Sequence, residues 1–435
     1  MIRRAIVMLA LVAASSASAV RAQADTSTTS FEVNGLTVIL RRNTATDVVA
    51  ANMYLLGGTQ QLTPATQGIE ALLLEASERG TKHYPGAAVR QVAARLGVDF
   101  EIAPQEDWTV FGFKGVRSIF DSTFAVFADR LTSPTLDSAE VELVRQRLMT
   151  AAREARNSPD PLVEILADSL ANIGHPYGFN PAGNESSLFS ITLDRLRTYQ
   201  ATQMVTSRML LVVVGNIDQP RLENLVQRGF GTLTRGSYVW SPPRPAPRLG
   251  RAVLVRPADL PTNYIRGYYP GPSARDRDYQ VLRIATAVLN GRFFTEIRSR
   301  RNLSYEVDAP FLDRALSSGG VYVTTVDPNQ TIRLMREEIT RLQTEMVDAR
   351  GLDRLIQQFI TDFFLRNETA GDQATFLARA QIYKGDYRAA GRFVDELRRV
   401  TPEDVRRVAI TYMKDFRFVY LGKPESLDRS LLDRF

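Results

Sequence analysis

Gly68-Ile-Glu-Ala-Leu-Leu-Leu-Glu-Ala-Ser-Glu-Arg-Gly-Thr81, followed shortly by Tyr84-Pro85, is the stretch that decides the fold. Glycines bracket a run of good helix formers, so a helix is expected from about residue 68 to 80. Leu72, Leu73 and Leu74 in series make that helix apolar nearly all round, as a helix buried inside a core would be. Glu75 and Glu78 stand at i and i+3 beside Arg79. They read either as a carboxylate pair for acid–base work or as a charged solvent strip, and the spacing beside an arginine favours the strip.

Strands lie on the N-terminal side. Phe31-Glu-Val-Asn-Gly-Leu-Thr-Val-Ile-Leu40 places Asn34-Gly35 between two alternating apolar runs, a strong hairpin signal. On the C-terminal side, Val141, Val144, Leu148, Ala151 and Ala155 recur on one helix face. Residues 208–217 contain Met-Leu-Leu-Val-Val-Val and read as a buried strand ending at Gly215-Asn216. Pro242, Pro243, Pro245 and Pro247 then mark an extended linker at 241–250 between domains at 23–240 and 251–435. Beyond it come strands at 252–255, 264–269 and 320–325, with a long helix at 278–300. The two halves echo each other. Thr192 and Thr401 stand 209 positions apart, as do Met204 and Met413, and each pair precedes a strand ending in glycine, Gly215 and Gly422. The expected class is α+β, built from two duplicated α/β rolls.

Composition agrees with a soluble globular chain: 435 residues, 44% hydrophobic and 23% charged. That is too long for one hydrophobic core, so two domains are expected. The formal charge of +6 falls to near +3 without Arg3, Arg4 and Arg21. Interleaved with acids, that excess is no nucleic-acid footprint. Residues 1–22 open with Arg3-Arg4, then a short apolar run and small residues, the layout of a cleaved secretory signal with cleavage after Ala19 or Ala22. No other run is long enough to span a bilayer. Zero cysteines exclude disulfides, thiol catalysis, iron–sulfur clusters and a lipidated cysteine. A bacterial periplasmic or secreted location is expected.

The 68–81 segment with Tyr84-Pro85 resembles the opening motif of the M16 (pitrilysin/insulinase-like) metallopeptidases, which runs Gly-Leu-x-His-x-x-Glu-His and ends in Gly-Thr, then Tyr-Pro. On that frame the first zinc histidine falls on Ala71, the catalytic glutamate on Leu74 and the second histidine on Glu75. The third ligand, counted back from Arg156-Asn-Ser-Pro159, falls on Ala151, and Glu154 is out of register. The inverted zinc motif depends on two histidines sharing a helix face with a glutamate that polarises the metal-bound water. None of these groups is present, so no metal is expected in this chain. Its two histidines, His83 and His175, are 92 residues apart and read as structural or solvated. His175 lies in Gly-His-Pro-Tyr-Gly178, similar to a loop of the family.

The second half retains more. Leu289-Asn-Gly-Arg-Phe-Phe-Thr-Glu-Ile-Arg298-Ser-Arg-Arg-Asn-Leu-Ser-Tyr305 resembles the family's Leu-x-x-Glu-hydrophobic-Arg-x-x-x-Gly-Leu-x-Tyr, with Asn302 in place of glycine. The resemblance implies that Arg298 and Tyr305 reach a substrate held at the zinc of another domain. Both side chains are donors suited to a carbonyl that becomes an oxyanion. Without the family frame, Arg298 reads as one of three helix-terminal arginines with Arg300 and Arg301, and Tyr305 as a packed strand residue.

The resemblance thus implies a clam-shaped unit of two rolls, and a zinc-less subunit of the bacterial heterodimeric type. It would pair with a zinc-bearing M16 homologue, bind peptides and position them for hydrolysis, with zinc in the partner. The alternative is a catalytically inert structural or peptide-binding homologue. An independent serine hydrolase has no Gly-x-Ser-x-Gly elbow to support it.

Overall fold

In the computed structural model, which describes residues 27–245 and 249–435, Asn34 and Gly35 carry φ of 49° and 81°. They close the hairpin between β1 (Thr28–Val33) and β2 (Leu36–Arg42). Two consecutive positive φ values match the strand twist, and asparagine and glycine adopt them at least cost. The leader read at residues 1–22 lies outside the described residues, as do residues 246–248 of the proline-rich segment.

With β3 (Val48–Leu56), β4 (Phe100–Pro104), β5 (Trp108–Val116) and β6 (Met209–Gly215), the first sheet runs β1-β2-β6-β3-β5-β4. β6 is the apolar run seen in the sequence. It is buried throughout because it lies between β2, to which it is parallel, and β3, to which it is antiparallel. The helices of this half are α1 (Ile69–Ala76), α2 (Ala88–Leu96), α3 (Phe120–Thr132), α4 (Ser138–Asn157), α5 (Pro159–Ala171), α6 (Glu185–Ser190), α7 (Leu193–Gln203) and α8 (Gln219–Phe230). Leu72, Leu73 and Leu74 of α1, Phe124 and Phe127 of α3, and Val226 of α8 share one core with Val38, Met53 and Leu211 of the sheet.

The second half holds β7 (Ala252–Pro257), β8 (Asn263–Ser273), β9 (Val307–Asp308), β10 (Phe311–Leu312), β11 (Leu316–Thr325) and β12 (Arg417–Gly422). They run β10-β11-β8-β12-β7, with β9 also on β11. Its helices are α9 (Asp278–Phe293), α10 (Pro328–Thr344), α11 (Ala349–Arg366), α12 (Ala370–Lys384), α13 (Phe393–Arg398) and α14 (Pro402–Tyr412).

The duplication read from the sequence is a duplication of topology. β2-β6-β3-β5-β4 and β7-β12-β8-β11-β10 follow one pattern, a parallel pair and then antiparallel neighbours. The repeated residues are the caps. Thr192 accepts from the Arg195 amide at the start of α7, and Thr401 accepts from the Asp404 amide at the start of α14. Met204 and Met413 end those helices with φ/ψ of −84°/71° and −76°/64°.

Each half lends a helix to the other's sheet. α5 buries Val163 and Ala167 against Tyr268, Tyr322, Val419 and Leu421. Its acids at four-residue spacing, Asp160, Glu164 and Asp168, meet Tyr322, Arg266 and Arg314. In return α12 places Ala374, Leu377, Ala378 and Ile382 on Tyr54, Leu210, Val212 and Val214. Buried Asp107 ties the seam. It accepts from Tyr177 (2.6 Å) in its own half and from Tyr383 and the Ala315 amide (both 2.7 Å) in the other. Arg314 crosses the same seam to Glu106 at 2.6 Å.

The helix expected at 278–300 differs from the single rod. α9 ends at Phe293 and the chain widens into a π turn, Phe294–Ser299. There the Arg300 amide reaches five residues back to the Thr295 carbonyl (3.0 Å), and Thr295 Oγ1 donates to the Gly291 carbonyl (2.9 Å). Such turns inside a helix frequently mark functional sites.

Candidate functional site

α1 starts where the chain cannot carry a side chain. Gly68 has φ 82°, and a Cβ there would lie 2.7 Å from Gly183 Cα. At the other end of α1 the buried Arg130 donates to the Leu74 carbonyl and to Ser77 Oγ, both at 3.0 Å, so a guanidinium caps the orphan carbonyls. Burial lowers its pKa to about 10, which leaves it cationic at neutral pH.

Between these ends, Ala71 and Leu74 are buried apolar residues of the core helix. Glu75 is only 25% exposed and pairs with Arg147 of α4 at 2.5 Å. In the strip expected at Glu75 and Glu78, Glu75 is therefore partnered across helices, not by Arg79, which approaches Glu140. Ala151 requires a correction. Periodicity put it on the buried face of α4, but it is exposed. Val141 and Val144 do bury, and at 3.6 residues per turn the next inward positions are Leu148 and Ala152. Ala151 sits one turn after Arg147 on the same side. α4 thus brings a guanidinium toward α1 where a carboxylate ligand was sought.

The histidines are structural. His175 Nε2 donates to the Arg244 carbonyl (2.9 Å), and its Nδ1 accepts from the Tyr177 amide (3.1 Å). Burial lowers its pKa, so the ring is neutral at pH 7 and fastens the linker. His83 is two-thirds exposed and contacts Asp129 at 2.8 Å. Among the described residues no three His, Asp or Glu are grouped to hold a metal.

Arg298 and Tyr305 do come together. The Arg298 guanidinium carbon lies 4.7 Å from the Tyr305 ring centre and 5.1 Å from that of Phe294. Tyr305 is 83% exposed and precedes β9, so it is not a packed strand residue. Of the three arginines here, Arg300 and Arg301 both bind Glu296, at 2.5 and 2.6 Å. The Arg301 hydrogen bond, supported by Arg300, lowers the Glu296 pKa. Arg298 makes no side-chain hydrogen bond or ion pair among the described residues, only the two ring contacts. The turn after it closes on Asn302, at φ 50°, which donates to the Arg298 carbonyl at 3.1 Å. Asparagine is the side chain that best replaces glycine in this left-handed position.

Two family models match the chain in succession: "Insulinase (Peptidase family M16)" over residues 37–178 and "Peptidase M16 inactive domain" over residues 190–359. The chain belongs to the M16 peptidase family. Among its M16 relatives, the mitochondrial-processing peptidase subunit beta of Blastocladiella emersonii is 24% identical over 424 residues, 91% of this chain and 88% of the relative. A protease from Helicobacter pylori shares the fold with a TM-score of 0.85 at 18% identity, covering 91% of this chain and 99% of that one. A Pseudomonas fluorescens structure described as a peptidase M16 inactive domain gives 0.83 at 16%, covering 91% and 98%.

The M16 zinc positions of this chain do not fit a metal. Ala71 and Ala151 have no donor atom, Leu74 is closed in apolar packing, and the Glu75 carboxylate already faces a guanidinium. Another group was missed in the sequence: Glu70, one residue before Ala71. Its Oε1 accepts from Tyr199 (3.0 Å) and lies 2.9 Å from Arg208, which also donates to the Leu56 carbonyl (2.7 Å). Burial opposes the Arg208 charge, and Glu70 and Tyr199 together more than offset it, leaving the pKa raised. This buried pair fastens α1 to α7 and to the end of β3. An acid at the start of a helix that is otherwise apolar as far as Leu74 was its only signal.

Proposed function

We propose that this M16 chain is the zinc-less subunit of an exported two-subunit peptidase. It binds peptides and offers Arg298 and Tyr305 to a substrate carbonyl held at the zinc of a homologous partner. The single observation that carries this reading is the uncommitted Arg298 guanidinium, stacked on an exposed tyrosine beside two arginines that share a carboxylate. A guanidinium keeps its charge at any working pH and presents several N–H donors, and a phenol adds one more. Donors fixed where negative charge develops stabilise the tetrahedral state without reorganisation.

The geometry supports a site completed from outside. No hydrogen bond, ion pair or ring contact among the described residues joins Arg298 or Tyr305 to α1 or α4. β4, which lies against α1, is an edge strand, and an edge can take a peptide by strand addition. Export rests on the pattern of residues 1–22. No helix among the described residues is long and apolar enough to cross a membrane.

The test is peptide hydrolysis by the mature chain alone and mixed with a zinc-bearing M16 homologue that co-purifies with it. Activity confined to the mixture supports the reading, and activity of this chain alone contradicts it. The second reading, an inert structural homologue, is favoured by the Arg147–Glu75 pair at a position that the motif resemblance assigns to zinc. It requires that Arg298 and Tyr305 have no effect on turnover.

A further inference from the structure

Away from both α1 and the Arg298 turn, the second half encloses a cavity of about 320 Å³ among α9, α11, α12 and α13. That volume lies at the small end of the range for ligand pockets, about 300–1,000 Å³. Phe363, Phe376 and Phe393 line it as a cluster, with ring centres 4.5–5.4 Å apart.

Its interior carries an unbalanced charge. Arg283 (2.7 Å) and Arg379 share the single carboxylate of Asp313, which also accepts from Tyr279. Although burial opposes its charge, the two guanidiniums pull the Asp313 pKa down to about 2, so one positive charge remains over. Arg379 gives only Nη1 to Asp313. Its Nε is buried without an acceptor, and Nη2 has none among the described residues. About a third of the side chain is open, and it borders the cavity. Toward solvent the balance reverses: among the exposed or half-exposed lining residues, Asp362, Asp372 and Glu396 are set against Arg366 and Lys384.

We infer that this cavity is a binding site for short free peptides ending in an aromatic residue. The C-terminal carboxylate meets Arg379, the last side chain enters the phenylalanine cluster, and the N-terminal ammonium lies toward the acidic mouth. A guanidinium donor that lacks an acceptor, aromatic walls and an opposite charge at the entrance are together complementary to a zwitterion with an apolar end. The inference does not depend on the chain taking part in hydrolysis, because the site is formed by this chain alone.

Calorimetric titration of the mature chain with Gly-Gly-Phe, its C-terminal amide and its N-acetyl form tests it. The free tripeptide is expected to bind at least tenfold more tightly than the amide, and a few-fold more tightly than the acetyl form. Arg379→Gln should weaken binding tenfold or more. Should that variant fail to fold, Phe376→Trp, which leaves the ion pairs in place and fills the cavity, should abolish binding. Equal affinity for acid and amide, undiminished binding by either folded variant, or no binding of the tripeptide at millimolar concentration would overturn the assignment.

Discussion

The Arg298 guanidinium carbon stands 4.7 Å from the centre of the Tyr305 ring, and no carboxylate among the described residues claims it. A surface arginine on a helix end ordinarily finds an acid, as Arg300 and Arg301 do in Glu296. Glu296 is saturated by those two neighbours, and the π turn swings Arg298 to the other side, onto Phe294 and Tyr305. The pair is thus held in place yet keeps its donors free.

The positions that the motif resemblance assigns to zinc should resist conversion into a metal site. Leu74 is 1% exposed in the first core, so Leu74→Glu buries a charge without a partner and should cost about 3–5 kcal/mol, read by urea unfolding. Ala71→His, Glu75→His and Ala151→Glu added to it should still yield no stoichiometric zinc after dialysis. A stable, zinc-loaded quadruple variant would show that the α1–α4 frame had been misjudged.

Glu70 and Arg208, 4% and 1% exposed, form a pair whose members depend on each other. Glu70→Ala leaves the Arg208 charge buried and should destabilise by about 3–5 kcal/mol. Glu70→Leu with Arg208→Met should cost clearly less than Glu70→Ala alone. Additive or larger losses in the double variant would speak against coupling.

Asp313 gives a pH signature. Its carboxyl titrates near 2 when folded against an ordinary 3.8, so the unfolded chain binds more protons between those values. The resulting stability, about 2 kcal/mol, is fully present above pH ~4 and lost as the pH falls through 3.8 toward 2. The gap in unfolding free energy between wild type and Asp313→Asn should therefore narrow over that window. A gap independent of pH would mean that the carboxylate is not held by Arg283 and Arg379.

Much of the fold was legible because it rests on local rules. Asn34-Gly35 dictates its turn, the run at 209–214 ending in glycine reads as an interior strand and is one, and Thr192 and Thr401 cap equivalent helices. The α1 segment was readable for the same reason, as three leucines in series leave no polar face. What stayed hidden depends on contacts between distant segments. That α5 and α12 exchange sheets, that Asp107 gathers Tyr177 and Tyr383, and that Arg147 reaches Glu75 follow from packing, not from spacing. Ala151 was misplaced because a helix of 3.6 residues per turn drifts past a pattern counted in threes and fours. The π turn was invisible for a similar reason. It is accompanied by side-chain hydrogen bonds to the Gly291 and Glu296 carbonyls, which composition does not reveal.

The most direct test of the central claim is turnover of a peptide by the two-subunit mixture with wild-type chain, Arg298→Ala, Tyr305→Phe and the double variant. Each donor removed should lower kcat by about 10²–10³-fold, the usual effect of losing one oxyanion donor. Co-purification and thermal unfolding should stay unchanged, since neither side chain supports the core. Undiminished turnover by the double variant, with the mixture intact, would contradict the account and leave the chain a structural member of its family.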